Sequence, residues 1–326
     1  MTPIETKIEP AEVVCAGVIV ADHLSTPITH VPVAGELVMA DELILNIGGC
    51  ACNVAMALAR QGIRSSVCGR VGDDTFGRYI AETLLSAGID SRALAIDPKR
   101  ATSQSLIINV KGQDRRFIHT FGANRGLSAA DIAASLTPST RVLYIGGYLI
   151  LPGLEADALA DVLRDARSRG IFTMLDVATP GPGDYVPLLR PVLRHTDVFL
   201  PNTDESTLIL GEADPVRQAQ AFRDLGAKRV VITRGDQGVI ALSDELRASL
   251  KTFPINFVDG SGGGDAFDAG YISGFLQGRD ERGCLTLASA IGASCVRAVG
   301  TTAGVFTCDE AEAFIASNHL PIELLP

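Results

Sequence analysis

The stretch that decides the reading is Asp259-Gly260-Ser261-Gly262-Gly263-Gly264-Asp265-Ala266-Phe267-Asp268-Ala269-Gly270-Tyr271. Three consecutive glycines run into a segment whose apolar residues, Phe267, Tyr271 and Phe275 with Ile272 and Leu276, recur at helical spacing. Glycine lets backbone N–H groups turn toward one point, and the positive end of the helix dipole adds to them. Gly262, Gly263 and Gly264 therefore make an anion hole that needs no Lys or Arg. Asp265 opens the helix. A carboxylate there is either a helix cap or a general base that takes a hydroxyl proton beside the hole, and one geometry serves both.

Upstream of this stretch, short β-branched runs alternate with helical patterns. Val13–Val20, Val67–Val71, Val142–Ile145, Phe172–Asp176, Val198–Leu200 and Val230–Thr233 are apolar at nearly every position, as strands buried on both faces of a parallel sheet should be. Between them lie helix-like segments at Asn53–Arg60, Thr75–Ser86, Leu154–Arg169 and Gln218–Leu225, stopped by Gly62, Gly88, Gly170 and Gly226. Strand, helix, glycine and strand again predict an α/β sheet with helices on both sides. Two excursions break the rhythm: residues 22–46, with Pro27, Pro32 and Gly35, and Gln104–Phe121, which reads as strand, a turn at Lys111–Asp114, and strand. The expected division is a catalytic body of residues 1–21, 47–103 and 122–326, and a small β lid of residues 22–46 and 104–121.

Composition narrows the partners. The 326 residues carry 28 Lys plus Arg against 38 Asp plus Glu, a formal charge of −10, the wrong sign for a surface that tracks nucleic-acid phosphates. Uncharged stretches such as Gly283–Val296 and Val142–Leu154 are shorter than the roughly 18 apolar residues a membrane span needs. The first ten residues, MTPIETKIEP, have no apolar core, so a cytoplasmic protein without membrane or nucleic-acid partners is expected. Seven cysteines, an odd number spread through apolar surroundings, point to reduced thiols; Cys50 and Cys52 are the only close pair, and C-x-C without a second cluster is a weak zinc pattern.

A second glycine-led stretch, Gly48-Gly49-Cys50-Ala51-Cys52-Asn53, enters a small-residue helix, where Asn53 either caps the helix or offers a donor and an acceptor to hydroxyls. Neither G-x-x-x-x-G-K-[ST] nor G-x-G-x-x-G after an early strand occurs, which disfavours a dinucleotide oxidoreductase. Taken together, GG-x-x-x-N-x-A and G-x-GD-A-F-x-AG resemble the two signatures of the PfkB (ribokinase-like) carbohydrate kinases. Gly17 and Asp22, Val71–Gly77, Asn202-Thr-Asp-Glu205, and Thr233-Arg-Gly235 with Gly238 follow in the family's order, so the resemblance spans nearly the whole chain.

That resemblance implies a three-layer αβα sandwich around a mainly parallel sheet, with a small β-sheet lid, transferring the γ-phosphoryl group of ATP to a hydroxyl of a small carbohydrate. It implies Asp265 as the base and Gly262, Gly263 and Gly264 as the anion hole. Asp22, Gly48, Gly49 and Asn53 match positions that hold acceptor hydroxyls, and His119 and Asn124 lie where lid meets sheet. Asn202, Thr233, Arg234, Gly235, Gly238 and Ser289 fall on the nucleotide side, and Glu205 matches a magnesium position that acts through water. Asp259 and Ser261 stand where family members often hold a monovalent cation such as K+, although the usual Asp-Thr-Thr is Asp-Gly-Ser here. Gly-Gly-Cys-Ala-Cys-Asn replaces the ribokinase Gly-Gly-Lys-Gly-Ala-Asn, which argues against ribose. An acidic acceptor would need Arg115, Arg116 or Arg125 directed inward; a neutral hexose or pentose is the expectation, with a homodimer formed through the lid. A nucleoside kinase of the same family and a non-catalytic sugar-binding module are the alternatives.

Overall fold

The computed structural model describes residues 10–113 and 116–326. Asp114 of the expected turn and Arg115 lie outside the described residues. Strands β1 (Val13–Gly17), β4 (Ser65–Gly72), β5 (Leu94–Asp97), β8 (Val142–Gly146), β9 (Phe172–Leu175), β10 (Val198–Phe199), β11 (Val230–Thr233), β12 (Val239–Leu242), β13 (Arg247–Leu250) and β14 (Ile322–Leu324) form one sheet in the order β14-β13-β12-β11-β10-β9-β8-β1-β4-β5. It is parallel from β5 to β11 and turns antiparallel for its last three strands. A second sheet of four strands, ordered β3-β2-β6-β7, is built from β2 (Val20–Ser25), β3 (Leu43–Gly48), β6 (Gln104–Ile108) and β7 (Arg116–Thr120).

The helices are α1 (Cys50–Arg60), α2 (Thr75–Ser86), α3 (Ala129–Ser135), α4 (Ala156–Ser168), α5 (Val186–Leu193), α6 (Thr203–Leu210), α7 (Pro215–Asp224), α8 (Gly263–Leu276), α9 (Glu281–Cys295) and α10 (Cys308–Ser317). Alternation along β1 sorts the sandwich into layers. Val13 and Cys15 enter a core shared with α1, α2, α8 and α9, whereas Val14 and Ala16 enter one shared with α3, α4, α5 and α7.

The run Val13–Val20 is not one strand. The chain leaves the large sheet after Gly17 and resumes at Val20 in the small one. Gly17 has φ 145°, and a Cβ there would stand 2.2 Å from the Gly146 carbonyl oxygen, so neighbouring strands approach too closely for any side chain. The segment Phe172–Asp176 ends one residue early, leaving Asp176 at the strand's C-terminal tip.

Candidate active site

Open α/β sheets bind ligands beyond the carboxyl ends of their strands, and the residues singled out from sequence gather there. Helix α8 begins behind Gly262, whose φ is 71° and which supplies no side-chain cap, so the first-turn N–H groups keep their outward direction. Asp265 sits in that first turn. Its Oδ2 accepts a 2.8 Å hydrogen bond from Nδ2 of Asn53, which reaches over from α1. Burial pushes the Asp265 carboxyl up, and the hydrogen bonds from Asn53 and Cys50 oppose that shift. Asn53 is 5% exposed, and its Oδ1 has no partner among the described residues.

Asp22, on β2, faces this centre from the small sheet. Its carboxyl is pushed up to about 6, first by burial and further by the charge of Asp265, against lowering contributions from Ser105 and His23. Gly48 is required by that carboxylate: a Cβ at Gly48 would lie 1.8 Å from Asp22 Oδ2. Register then builds a polar row. Asn46 pairs with Asp22, Asp22 with Ser105, and Ser105 with His119, and directly paired residues share a face. The Ser105 hydroxyl and His119 Nδ1 are 3.0 Å apart, and burial holds the imidazole below its usual range. Asn124 behaves differently. Its Oδ1 accepts from Ile19 N at 3.3 Å and its Nδ2 donates to Ile19 O at 2.9 Å, so its amide is committed to bracing the backbone before β2.

Across the cleft, Asn202 and Glu205 form a capping box on α6, Glu205 N donating to Asn202 Oδ1 at 2.8 Å and Asn202 N to Glu205 Oε2 at 3.0 Å. Burial pushes Glu205 up to about 7, and the charges of Asp265 and Asp204 add to it. Asn202 bridges to Thr233 at the end of β11. Arg234 N donates to Gly238 O at 2.8 Å, closing the turn that contains Gly235. The Arg234 guanidinium donates to Gln237 O, while its buried Nε has no partner among the described residues. Ser289 lies on α9, buried, its hydroxyl also without a partner among the described residues. Asp259 ties its own loop together: Oδ1 accepts from Ser261 N and Oγ, and Oδ2 from Gly300 N.

Several residues here were not singled out from sequence. Asp176 is pushed well up by burial and by Glu205 and Asp265. Asp268, buried on α8, accepts a 3.0 Å hydrogen bond from the Tyr144 hydroxyl, and burial with Asp176 pushes it well up too. Asn46 and Ser105 complete the row on the small sheet. Asp176 had a usable signal, an acid closing a buried apolar run, whereas the row depends on strand register alone. The pair Cys50 and Cys52 separates: two positions apart on a helix, they point to different faces, Cys52 into the core and Cys50 beside Asp176 and Asp265.

The chain matches the model of the pfkB family carbohydrate kinases over residues 11–308. It is 26% identical over 285 residues to a ribokinase of Bacillus subtilis, covering 87% of this chain and 93% of the relative. To a 2-dehydro-3-deoxygluconokinase of the same organism it is 28% identical over 285 residues, covering 84% and 87%. An E. coli chain described as a ribokinase II, solved with ATP and Mg2+, superposes with a TM-score of 0.78 at 24% identity, covering 94% of this chain and all of that one. The ribokinase-like fold expected from the motifs is therefore the fold observed, and the chain belongs to the pfkB family of carbohydrate kinases.

Proposed function

We propose that this enzyme transfers the γ-phosphoryl group of ATP to a hydroxyl of a small neutral sugar, with Asp265 as the general base. The observation that carries this reading is the placement of Asp265, in the glycine-opened first turn of α8, hydrogen-bonded to Asn53. Its raised pKa suits proton acceptance from a hydroxyl near neutral pH better than an ordinary carboxylate would. The N–H groups following Gly262 then stabilise negative charge on the group in transit. Arg234 Nε, buried and unpaired, is available to nucleotide phosphates on the opposite side.

The site fits a magnesium-nucleotide. Burial first, and then the charges of Glu205 and Asp265 on Asp176 and of Asp265 and Asp204 on Glu205, push both carboxyls up, and a divalent cation relieves that accumulation of acids. Glu205 would hold Mg2+, which prefers oxygen ligands and retains waters. When bound, the metal neutralises charge on the phosphates. Asp259 and Ser261 are hydrogen-bonded to each other within their loop and stay the candidate holders of a monovalent cation such as K+.

Neutrality of the acceptor is supported by the charges that face it. Asn46, Asp22, Ser105 and His119 present acids, amides, hydroxyls and a depressed imidazole, all suited to sugar hydroxyls. Alternation turns Arg116 to the opposite face of β7 from His119, and Arg125 lies over the Phe121 ring, 4.9 Å from its centroid. We further propose that the small sheet closes over the acceptor as a lid. Its exposed apolar side chains, Leu43, Leu106, Phe117 and Ile118, support a homodimer formed through it.

Replacing Asp265 by Asn is expected to lower kcat by about 10²–10⁴ while leaving the melting temperature near that of the unmodified chain. ADP release across neutral sugars, sugar acids, sugar phosphates and nucleosides reads the acceptor class. A fully active Asp265→Asn variant, or a preference for an acidic acceptor, would overturn the corresponding half of the proposal.

A further inference from the structure

Phosphoryl transfer as proposed leaves an unusual donor set beside its base. The sulfur of Cys50 and one carboxylate oxygen each from Asp176 and Asp265 lie within 4.8 Å of one another, and all three side chains are half-buried. Three separate elements deliver them: the first residue of α1, the tip beyond β9, and the first turn of α8. The packing around the thiol is tight. A Cβ added at Gly146 would stand 2.6 Å from Cys50 Cβ, and one at Gly147 would stand 3.4 Å from its Sγ. Gly147 N–H also fixes Asp176 by donating to its Oδ2 at 3.2 Å.

A second observation points to a missing ligand. Asn53 is 5% exposed, its Oδ1 has no partner among the described residues, and the Nδ2 of the same amide is 2.8 Å from Asp265 Oδ2. Buried acceptors are almost always satisfied, so this oxygen awaits a partner on an amide whose other end already touches the cluster. The strongest charges acting on Cys50 are those of Asp265, Asp176 and Glu205, all acidic. Burial first, and then those charges, push the thiol up and deprive it of the thiolate character that redox chemistry needs. It is instead an environment for a cation.

The donor chemistry selects which one. A sulfur ligand excludes Mg2+ and Ca2+, which require oxygen throughout. Zinc takes sulfur at about 2.3 Å and carboxylate oxygen at about 2.0–2.2 Å in a tetrahedron, which sets its ligands roughly 3.5 Å apart. We propose that Cys50, Asp176 and Asp265, with Asn53 Oδ1 as fourth donor, form a Zn2+ site whose occupancy takes Asp265 from the acceptor hydroxyl and switches transfer off. The inhibitory consequence rests on the reading of Asp265 as base; the site itself does not.

Cd2+ titrated into the metal-free full-length chain tests the site through the ultraviolet sulfur-to-metal charge-transfer band, with no reference to activity. The band is expected in the unmodified chain and is expected to vanish in both Cys50→Ser and Cys50→Ala. Should either variant melt early, weakened Cd2+ binding by Asp176→Asn makes the same comparison. In the transfer assay at fixed excess Mg2+, Zn2+ should inhibit the unmodified enzyme, and the Cys50 variants should need about 10–100-fold more of it. Absence of a Cys50-dependent band overturns the site whatever Asp265→Asn does. Equal zinc sensitivity with and without Cys50 overturns the switch. A Cys50-dependent band in an enzyme whose Asp265→Asn variant stays fully active upholds the site and overturns the base.

Discussion

The two sheets of this molecule solve different problems. In the large one, β1 and β8 are buried at every position, covered by helices on both faces. In the small one, β7 is exposed along its whole length. Part of the packing of the small sheet comes from α2, where Phe76 meets His23 edge-on at 5.1 Å and the Tyr79 hydroxyl donates to Leu45 O. Asp265, Asn53 and Asp176 stand on elements seated in the cores, while Asp22, Ser105 and His119 stand on the thinly supported sheet. Moving parts are drawn from the low-stability end of a structure, and geometry that must not move from the high end. On the proposed function, the chemistry falls to the rigid body and acceptor selection to the adaptable one.

The sharpest way to break this contrast is in the large sheet. Phe199 is fully buried on β10, edge-on to Phe222 at 4.8 Å. Phe199→Ala should cost about 3–5 kcal/mol, read as a lower denaturation midpoint; a cost near zero would mean the large sheet is no firmer than the small one. A smaller effect joins the two regions through pH. Glu205 and Asp22 have folded-state values of about 7 and about 6, above the ordinary 4.5 and 3.8. Between those limits the folded chain binds more protons than the unfolded one, so stability is lost as pH rises from about 4 to 7. The melting temperature of the metal-free protein should therefore fall across that window. Glu205→Gln, which keeps the capping box, should flatten the upper part of the fall; an unchanged slope would remove Glu205 as its source. The smallest expected effect is at Phe117, 58% exposed on β7. Phe117→Ser should change the stability of the chain by no more than about 0.5 kcal/mol, yet weaken self-association in sedimentation if the small sheet is the dimer contact.

Much of the large sheet is legible because its signals are local. Thr75–Ser86 is a helix over the residues its pattern predicts, and β8, β9 and β11 follow their apolar runs to within a residue. The antiparallel edge β12–β14 is not legible in the same way, since three- and four-residue strands carry too little periodicity. Helix α5 escapes notice for a different reason: it has Pro187 in its first turn and Pro191 inside it, so its composition resembles a loop. The division of Val13–Val20 between two sheets turns on the close approach of Gly17 to Gly146, residues far apart in the chain.

The sequence alone determined the glycine-opened helix with Asp265 in its first turn, the Gly-Gly entry to the helix bearing Asn53, and the alternation of strands and helices. These depend on neighbours within a few positions, where backbone freedom and apolar spacing act directly. Tertiary structure decided the rest. It placed Asn53 against Asp265 across 212 residues, set Asn46, Asp22, Ser105 and His119 in one row, and turned Cys50 toward two carboxylates while burying Cys52. A strand shifted by one residue presents its other face, and a helix rotated by half a turn does the same. Which face meets the site is settled only when the sheets and helices pack.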